Sequence, residues 1–267
     1  PSFALIRYDP DGSLDTTFDG DGIVTTDIGV HQAFASAVAI QGDGKIVAVG
    51  DSYNGINPVF AVVRYNRDGS RDTTFDGDGI VTTSVGIGRK DFLSTSGGRA
   101  TAVAIQGDQK IVVAGPAWHG RDYHDFTVVR YDRNGWLDRS FGDRGIVTTA
   151  VGAKEDEPRA IAIQTDGRII VAGSAFDAGK FNFAVVRYNV DGTLDTTFGH
   201  GGIVTTAVGA GIDEATSVAL QRDGKIIVAG GARTGISGRE FAVVRYNIDG
   251  SLDTTFDGDG IVTTDIG

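Results

Sequence analysis

Phe3-Ala4-Leu5-Ile6-Arg7-Tyr8 returns, with small changes, as Phe60 to Tyr65, Phe126 to Tyr131, Phe183 to Tyr188 and Phe241 to Tyr246. The copies stand 57, 66, 57 and 58 residues apart. The chain is therefore a tandem array of about four and a half short units, and a unit this small buries its apolar faces only against a neighbour like itself.

Each unit resolves into four short strands, A to D. Strand A is Ala37-Val38-Ala39-Ile40, with counterparts starting at Ala102, Ala160 and Ser217. A tight turn such as Gln41-Gly42-Asp43-Gly44-Lys45 closes a hairpin onto strand B, Ile46 to Val49, since Gly takes positive φ at little cost. Strand C is the Phe-to-Tyr run, and strand D is Gly-Ile-Val-Thr-Thr, at Gly22, Gly79, Gly145, Gly202 and Gly260. The units fall at 30–86, 87–152, 153–209 and 210–267, preceded by a half unit at 1–29 that holds only C and D.

Strands B and C are nearly continuous apolar runs, which a sheet covered on both faces requires, and no helical periodicity lasts three turns. Small four-stranded sheets stacked face to face meet that demand. The expected fold is an all-β propeller of four-stranded antiparallel blades, five with one incomplete, its Ala-rich strand A lying near the crowded axis. An open stack or β-solenoid is the alternative.

The 267 residues include 40 Gly and no Cys, with a formal net charge of -11. That balance argues against a nucleic-acid partner, which needs clustered Lys and Arg to replace counterions. Without Cys there is no disulfide framework, thiolate nucleophile or zinc-thiolate site. No run of about 18 or more apolar residues predicts a membrane-spanning helix, and no signal-peptide pattern is present. A chain opening on Pro1-Ser2-Phe3 reads as a processed or excised piece of something longer.

The motif Arg-Tyr-Asn-x-Asp-Gly-Ser-Leu-Asp-Thr-Thr-Phe, followed by Gly-Ile-Val-Thr-Thr and then Ala-Val-Ala-Ile-Gln-x-Asp-Gly-Lys-Ile, resembles the bacterial delta-60 repeat family across essentially the whole chain. The resemblance implies a propeller-like repeat domain at an extracellular or cell-surface location and assigns no catalytic residue. The third unit departs from the pattern with Trp136 and Gly142-Asp143-Arg144-Gly145, and the fourth with Gly199-His200-Gly201-Gly202.

In such a blade the A–B and C–D turns share one face, and the B–C and D–A connections share the other. The first pair is nearly constant between units, whereas the second diverges, most of all over Ile87 to Arg99 and Pro116 to Asp125. Constant scaffold turns opposite variable loops are how a repeat protein builds a binding face. The candidate ligand-binding residues are Trp118, His119, Asp122, Tyr123, His124, Tyr53, Phe92 and His31, with Glu155, Asp156, Glu157, Asp213 and Glu214 nearby in sequence. Trp and Tyr beside Arg, Asp and His offer a flat apolar platform with hydrogen-bonding groups, which suits a glycan or a cell-surface partner.

The C–D turn Asp9-Pro10-Asp11-Gly12-Ser13-Leu14-Asp15 places oxygen side chains at alternate positions, as in the front half of a calcium loop. Gly20 occupies the place of the closing bidentate Glu, so a calcium site would draw on Asp9, Asp11, Asp15, Asp19 and Asp21; the simpler account is that Asn and Asp form Asx turns. No Gly-x-Ser-x-Gly or His-Glu-x-x-His occurs, and Gly173 to Lys180 misses the phosphate-loop spacing. The sequence supports a glycan-binding module, with a secreted hydrolase of glycan or ester bonds, or a structural protein assembling through its incomplete blade, as alternatives.

Overall fold

The computed structural model describes residues 2–29, 32–86, 97–119, 123–235 and 238–265, leaving out the His119 side chain. His31, Phe92 and Asp122 lie outside the described residues. The half unit forms a two-stranded sheet, β1 (Phe3–Ile6) and β2 (Ile23–Thr26). Four complete antiparallel blades follow. The first is β3 (Ala33–Ile40), β4 (Ile46–Tyr53), β5 (Pro58–Tyr65) and β6 (Ile80–Thr83). The second is β7 (Ala102–Ile105), β8 (Ile111–His119), β9 (Tyr123–Tyr131) and β10 (Ile146–Thr149). The third is β11 (Asp156–Ile163), β12 (Ile169–Asp177), β13 (Lys180–Tyr188) and β14 (Ile203–Thr206). The fourth is β15 (Glu214–Leu220), β16 (Ile226–Ala232), β17 (Glu240–Tyr246) and β18 (Ile261–Thr264). No helix among the described residues is long and apolar enough to cross a membrane.

Spatial order within each blade follows chain order, and strand A of each complete blade touches strand A of the next, so the Ala-rich strands line the axis. The core is four apolar layers, one between each pair of successive sheets, the first joining Phe3, Phe18 and Val24 to Ala61, Val63 and Tyr65. Along strand C, side chains alternate between the two neighbours: Phe60 and Val62 face the following blade, Ala61 and Val63 the preceding one. This is why strand C is apolar at nearly every position.

A polar latch repeats at each interface. Nε of Arg64 donates to Asp72 Oδ2 (2.6 Å), Nη1 reaches the Arg133 carbonyl in the next blade (2.6 Å), and the guanidinium lies 4.5 Å over the Phe75 ring. Arg7, Arg130 and Arg187 repeat this with the carbonyls of Arg67, Val190 and Ile248. The next blade's turn glycine covers the Phe: Gly69 has φ +89°, and a Cβ there would stand 2.9 Å from the Asp19 amide nitrogen and 3.1 Å from the Phe18 ring. A second tie runs backwards, from the hydroxyls of Tyr65, Tyr131, Tyr188 and Tyr246 to Thr26, Thr83, Thr149 and Thr206 of the preceding blade, at 2.6 to 2.9 Å.

Burial would raise the Asp72 carboxyl, but hydrogen bonds from Lys45 and Thr74 and the Arg64 charge outweigh it and hold the group well below the usual carboxylate value of 3.8. Asp138, with Ser140, Lys110 and Arg130, is depressed in the same way. A carboxyl with a depressed folded-state pKa contributes stability above its unfolded value and loses it as pH falls toward the folded one. The contribution of these two aspartates to unfolding free energy, followed by urea titration, is expected to be full above about pH 4 and to fall below it. Arg130→Met, which removes one side of a buried pair, is expected to cost about 3–5 kcal/mol at pH 7.

Candidate functional site

The variable face is shaped by a bulge in strand A. Register slips by one residue between Ala35 and Ala37, Pro158 and Ala160, and Ala215 and Ser217, and in the second blade between the Gly98–Ala117 bridge and the Ala102–Ala114 pair. Opposite each bulge, strand B carries Gly50, Gly115, Gly173 or Gly230. A Cβ on any of them would run into the carbonyl oxygen of Phe34, Arg99, Glu157 or Glu214, at 1.8 to 2.0 Å. The glycine of the Val-Ala-Gly motif thus admits the bulge, and the bulge sets where those four residues lie at the entry to the innermost strand.

Two of the four, Arg99 and Glu157, meet in a cavity of about 310 Å³ lined also by Asp51, Pro58, Gly97, Gly98, Pro116, Trp118 and His124. It draws on the first three complete blades. Burial raises the Asp51 carboxyl, and the Arg99 charge opposes that rise. Glu157 also pairs with Arg159. The Trp118 and His124 rings stand 4.6 Å apart at 53°, and His124 Nδ1 lies 2.8 Å from Glu155 Oε2, which also accepts the His124 amide (3.2 Å). One half-buried indole thus shares a mouth with a cation, two carboxylates and an imidazole.

Pro116 to Asp125 reads as a loop in the sequence but is hairpin in the structure. Cross-strand pairs Trp118–His124 and His119–Tyr123 extend strands B and C, leaving only residues 120–122 between them. Aromatic cross-strand pairing explains the extension. Tyr123 is exposed and absent from the cavity wall. Tyr53 ends β4, paired with Pro58, and lines a neighbouring groove that shares Asp51 and Pro58 with the mouth. Asp51 and Arg99 escape a sequence reading; the available signal is that Arg99 stands where two other units carry Glu157 and Glu214, and Asp51 where the remaining three carry Pro116, Ser174 and Gly231.

Other acidic residues have local duties. Asp156, fully buried, accepts the amides of Val151 (2.7 Å) and Gly152 (2.9 Å), and Asp213 does the same for Val208 (2.8 Å) and Gly209 (3.1 Å), so both shape the D–A turn. In the first C–D turn, Asp11 accepts from the Ser13 amide and hydroxyl, Asp15 from Arg7 and Thr17, and Asp21 from the Ile23 amide. The Asp9 amide donates to the Ser13 carbonyl, and Asp19 takes φ +52° while donating its amide across the blade interface to Asp68. These are Asx-turn geometries. No group of three or more His, Asp or Glu side chains converges as a metal site among the described residues.

The family described as "Domain of unknown function (DUF5122) beta-propeller" matches residues 1–18, 41–75, 106–141, 164–198 and 221–256, more than half of the chain. The chain belongs to that family. No curated protein matches its sequence. Among solved structures it is similar to a protein of unknown function from Dyadobacter fermentans at 14% identity, covering 97% of this chain and 70% of that one with a TM-score of 0.47. A protein of unknown function from Bacteroides caccae is 12% identical, with 98% of each chain covered and a TM-score of 0.47. An exo-1,5-alpha-L-arabinanase from a bovine ruminal metagenomic library is 12% identical, covering 92% of this chain and 88% of that one with a TM-score of 0.46.

The DUF5122 segments run from the A–B turn through strands B and C to the Phe that the latch Arg covers. Trp118, His124 and Asp51 fall inside them, whereas Arg99, Glu155, Asp156 and Glu157 fall outside. Of this last group Asp156 provides a direct titration test. Burial drives its carboxyl up to about 7, against the pull of the Val151 and Gly152 amides and with the Asp125 and Glu155 charges adding to the rise. A raised folded-state value means that its contribution is complete below the unfolded pKa and is lost as pH rises toward 7. Carboxyl-carbon NMR is expected to show one Asp titrating near pH 7 in the wild type and none there in Asp156→Asn. Stability of the variant is expected to vary less than that of the wild type between pH 4 and 7.

Proposed function

We propose that this DUF5122 propeller is an extracellular or cell-surface module that binds a glycan in the axial mouth formed by its first three complete blades. The observation that carries this reading is the grouping of Trp118 with Arg99, Asp51, Glu157 and His124 around one cavity. Pyranose and furanose rings present an apolar C–H face and a fringe of hydroxyls. An indole takes the first, and carboxylates, guanidinium and imidazole take the second. A bound hydroxyl donating to Asp51 or Glu157 and accepting from Arg99 satisfies groups that burial would otherwise penalise. The resemblance to delta-60 repeats supports the extracellular location, and the charge of -11 disfavours nucleic acid as the ligand.

A second reading, a glycoside hydrolase, has its own support. Asp51, a carboxyl raised by burial, lines the same cavity as a second carboxylate, Glu157, and such a pair can divide the roles of general acid and base or nucleophile.

Both readings are tested by passing the purified chain over immobilised polysaccharides and assaying soluble ones for reducing ends. Retention by at least one polysaccharide is expected, weakened about tenfold or more in Trp118→Ala, a loss of about 1.4 kcal/mol. Trp136→Ala, at an indole exposed on the opposite face, is expected to keep it. Equal retention by the two variants removes the mouth as the site. Released sugar that disappears in both Asp51→Asn and Glu157→Gln decides for the hydrolase.

A further inference from the structure

The wall of the mouth contains an element that recurs in its neighbours. Three residues beyond the bulge glycines Gly50, Gly115 and Gly173, strand B carries Tyr53, Trp118 and Phe176. Each stands opposite another ring across the B–C hairpin: Tyr53 opposite Pro58, Trp118 opposite His124 and Phe176 opposite Phe181. The fourth blade has Arg233 at that place and still pairs β16 with β17, so the fold does not require the rings. All three aromatic residues are partly exposed.

The three stations are joined by residues that serve two of them at once. Asp51 and Pro58 wall both the mouth and the groove of about 420 Å³ that Tyr53 lines with Gln32, Phe34 and Ser52. On the other side, Glu155 holds the His124 ring with its carboxylate (2.8 Å) and accepts the Phe176 amide with its backbone carbonyl (2.8 Å). The Phe176 and Phe181 rings meet edge to face at 5.3 Å, and Lys154 Nζ stands 5.4 Å from the Phe176 ring centre, a cation beside the third ring. Packed sheets lie about 10 Å apart, so equivalent positions on successive blades are separated by roughly the length of a disaccharide or somewhat more. The Trp118 station is open although a complete blade stands on either side of it, so its openness is a property of the repeated unit.

We propose that Tyr53, Trp118 and Phe176 are successive platforms of one cleft, which takes an internal stretch of a linear polysaccharide running from blade to blade over the first three complete blades. This rests on the glycan reading of the mouth and adds the form of the ligand, a chain held along its length and not a single terminal sugar. Aromatic rings accept the apolar faces of sugars spaced along the chain, while Asp51, Arg99 and Lys154 meet the hydroxyls between them. Arg233 ends the row. Contacts strung along one chain act at high effective concentration, so affinity grows with ligand length until the last platform is filled.

The test is isothermal titration calorimetry of the whole chain against cello-, xylo-, manno- and chito-oligosaccharide ladders, from disaccharide to octasaccharide. Affinity for at least one ladder is expected to rise about tenfold or more between disaccharide and hexasaccharide and then to level off. Tyr53→Ala and Phe176→Ala are each expected to lower octasaccharide affinity severalfold and to flatten the rise, whereas Arg233→Ala is expected to behave as the wild type. Should an alanine variant lose its sheet circular dichroism, Tyr53→Leu and Phe176→Leu, which keep apolar bulk without a flat face, replace the pair with the same expectation. Binding that Trp118→Ala removes, but that is equal for short and long ligands or intact in both outer-platform variants, overturns this inference and leaves the mouth as a site for a small glycan. Binding indifferent to Trp118→Ala overturns the mouth reading and this inference together. No binding to any ladder overturns this inference, and the mouth reading falls with it only if no polysaccharide is retained either.

Discussion

The buried arginine of strand C is the constraint on which the rest of the molecule depends. Each of its faces has a separate duty: Nε holds the aspartate that shapes the C–D turn, Nη1 grips the neighbouring blade's backbone, and the flat side rests on phenylalanine. A guanidinium does this where an ammonium does not, since its donors are fixed in a plane and its faces are weakly hydrated. The aspartate is in turn shared with the basic residue of the same blade's A–B turn, Lys45 with Asp72 and Arg168 with Asp195, so both turns of that end lock to one charge. The short invariant turns and the stacking of blades are thus one device.

Much of this is legible in sequence because it recurs. The Arg-Tyr pair, the Asp-Gly turn and the Asp-Thr-Thr-Phe run are latch parts, and repetition alone marks them out. The count of strand pairs shows that the first sheet holds only two strands. What repetition cannot show is which face of strand C a residue serves or how far a hairpin extends. Trp118 and His124 read as loop residues because they lie beyond the repeated core, and their cross-strand pairing exists only once β8 and β9 are in register.

The site is partly legible for a related reason. Trp118 and His124 stand out as departures from the repeat and Glu157 as a carboxylate in a variable connection, whereas Asp51 and Arg99 enter the mouth only through the bulge and the packing of three blades. Asp156 and Asp213 look like rim carboxylates on paper, yet each folds back onto two amides of its own turn. An acidic residue in a variable connection therefore has two fates, and backbone donors within reach decide between them.

The carbonyls gripped by the latch belong to Arg67, Arg133, Val190 and Ile248, two basic residues and two aliphatic ones. Because this grip is on backbone, the latch does not read the side chain it holds, and the identities that the interface does require, the turn glycine and the Tyr–Thr pair, recur in every complete unit. A unit duplicated, deleted or exchanged by recombination keeps a working interface on both sides without compensating substitutions. The near identity of 3–29 and 241–267 is what a gene growing by such copying would leave behind, and it makes the number of blades, rather than the composition of any one of them, the quantity most free to drift.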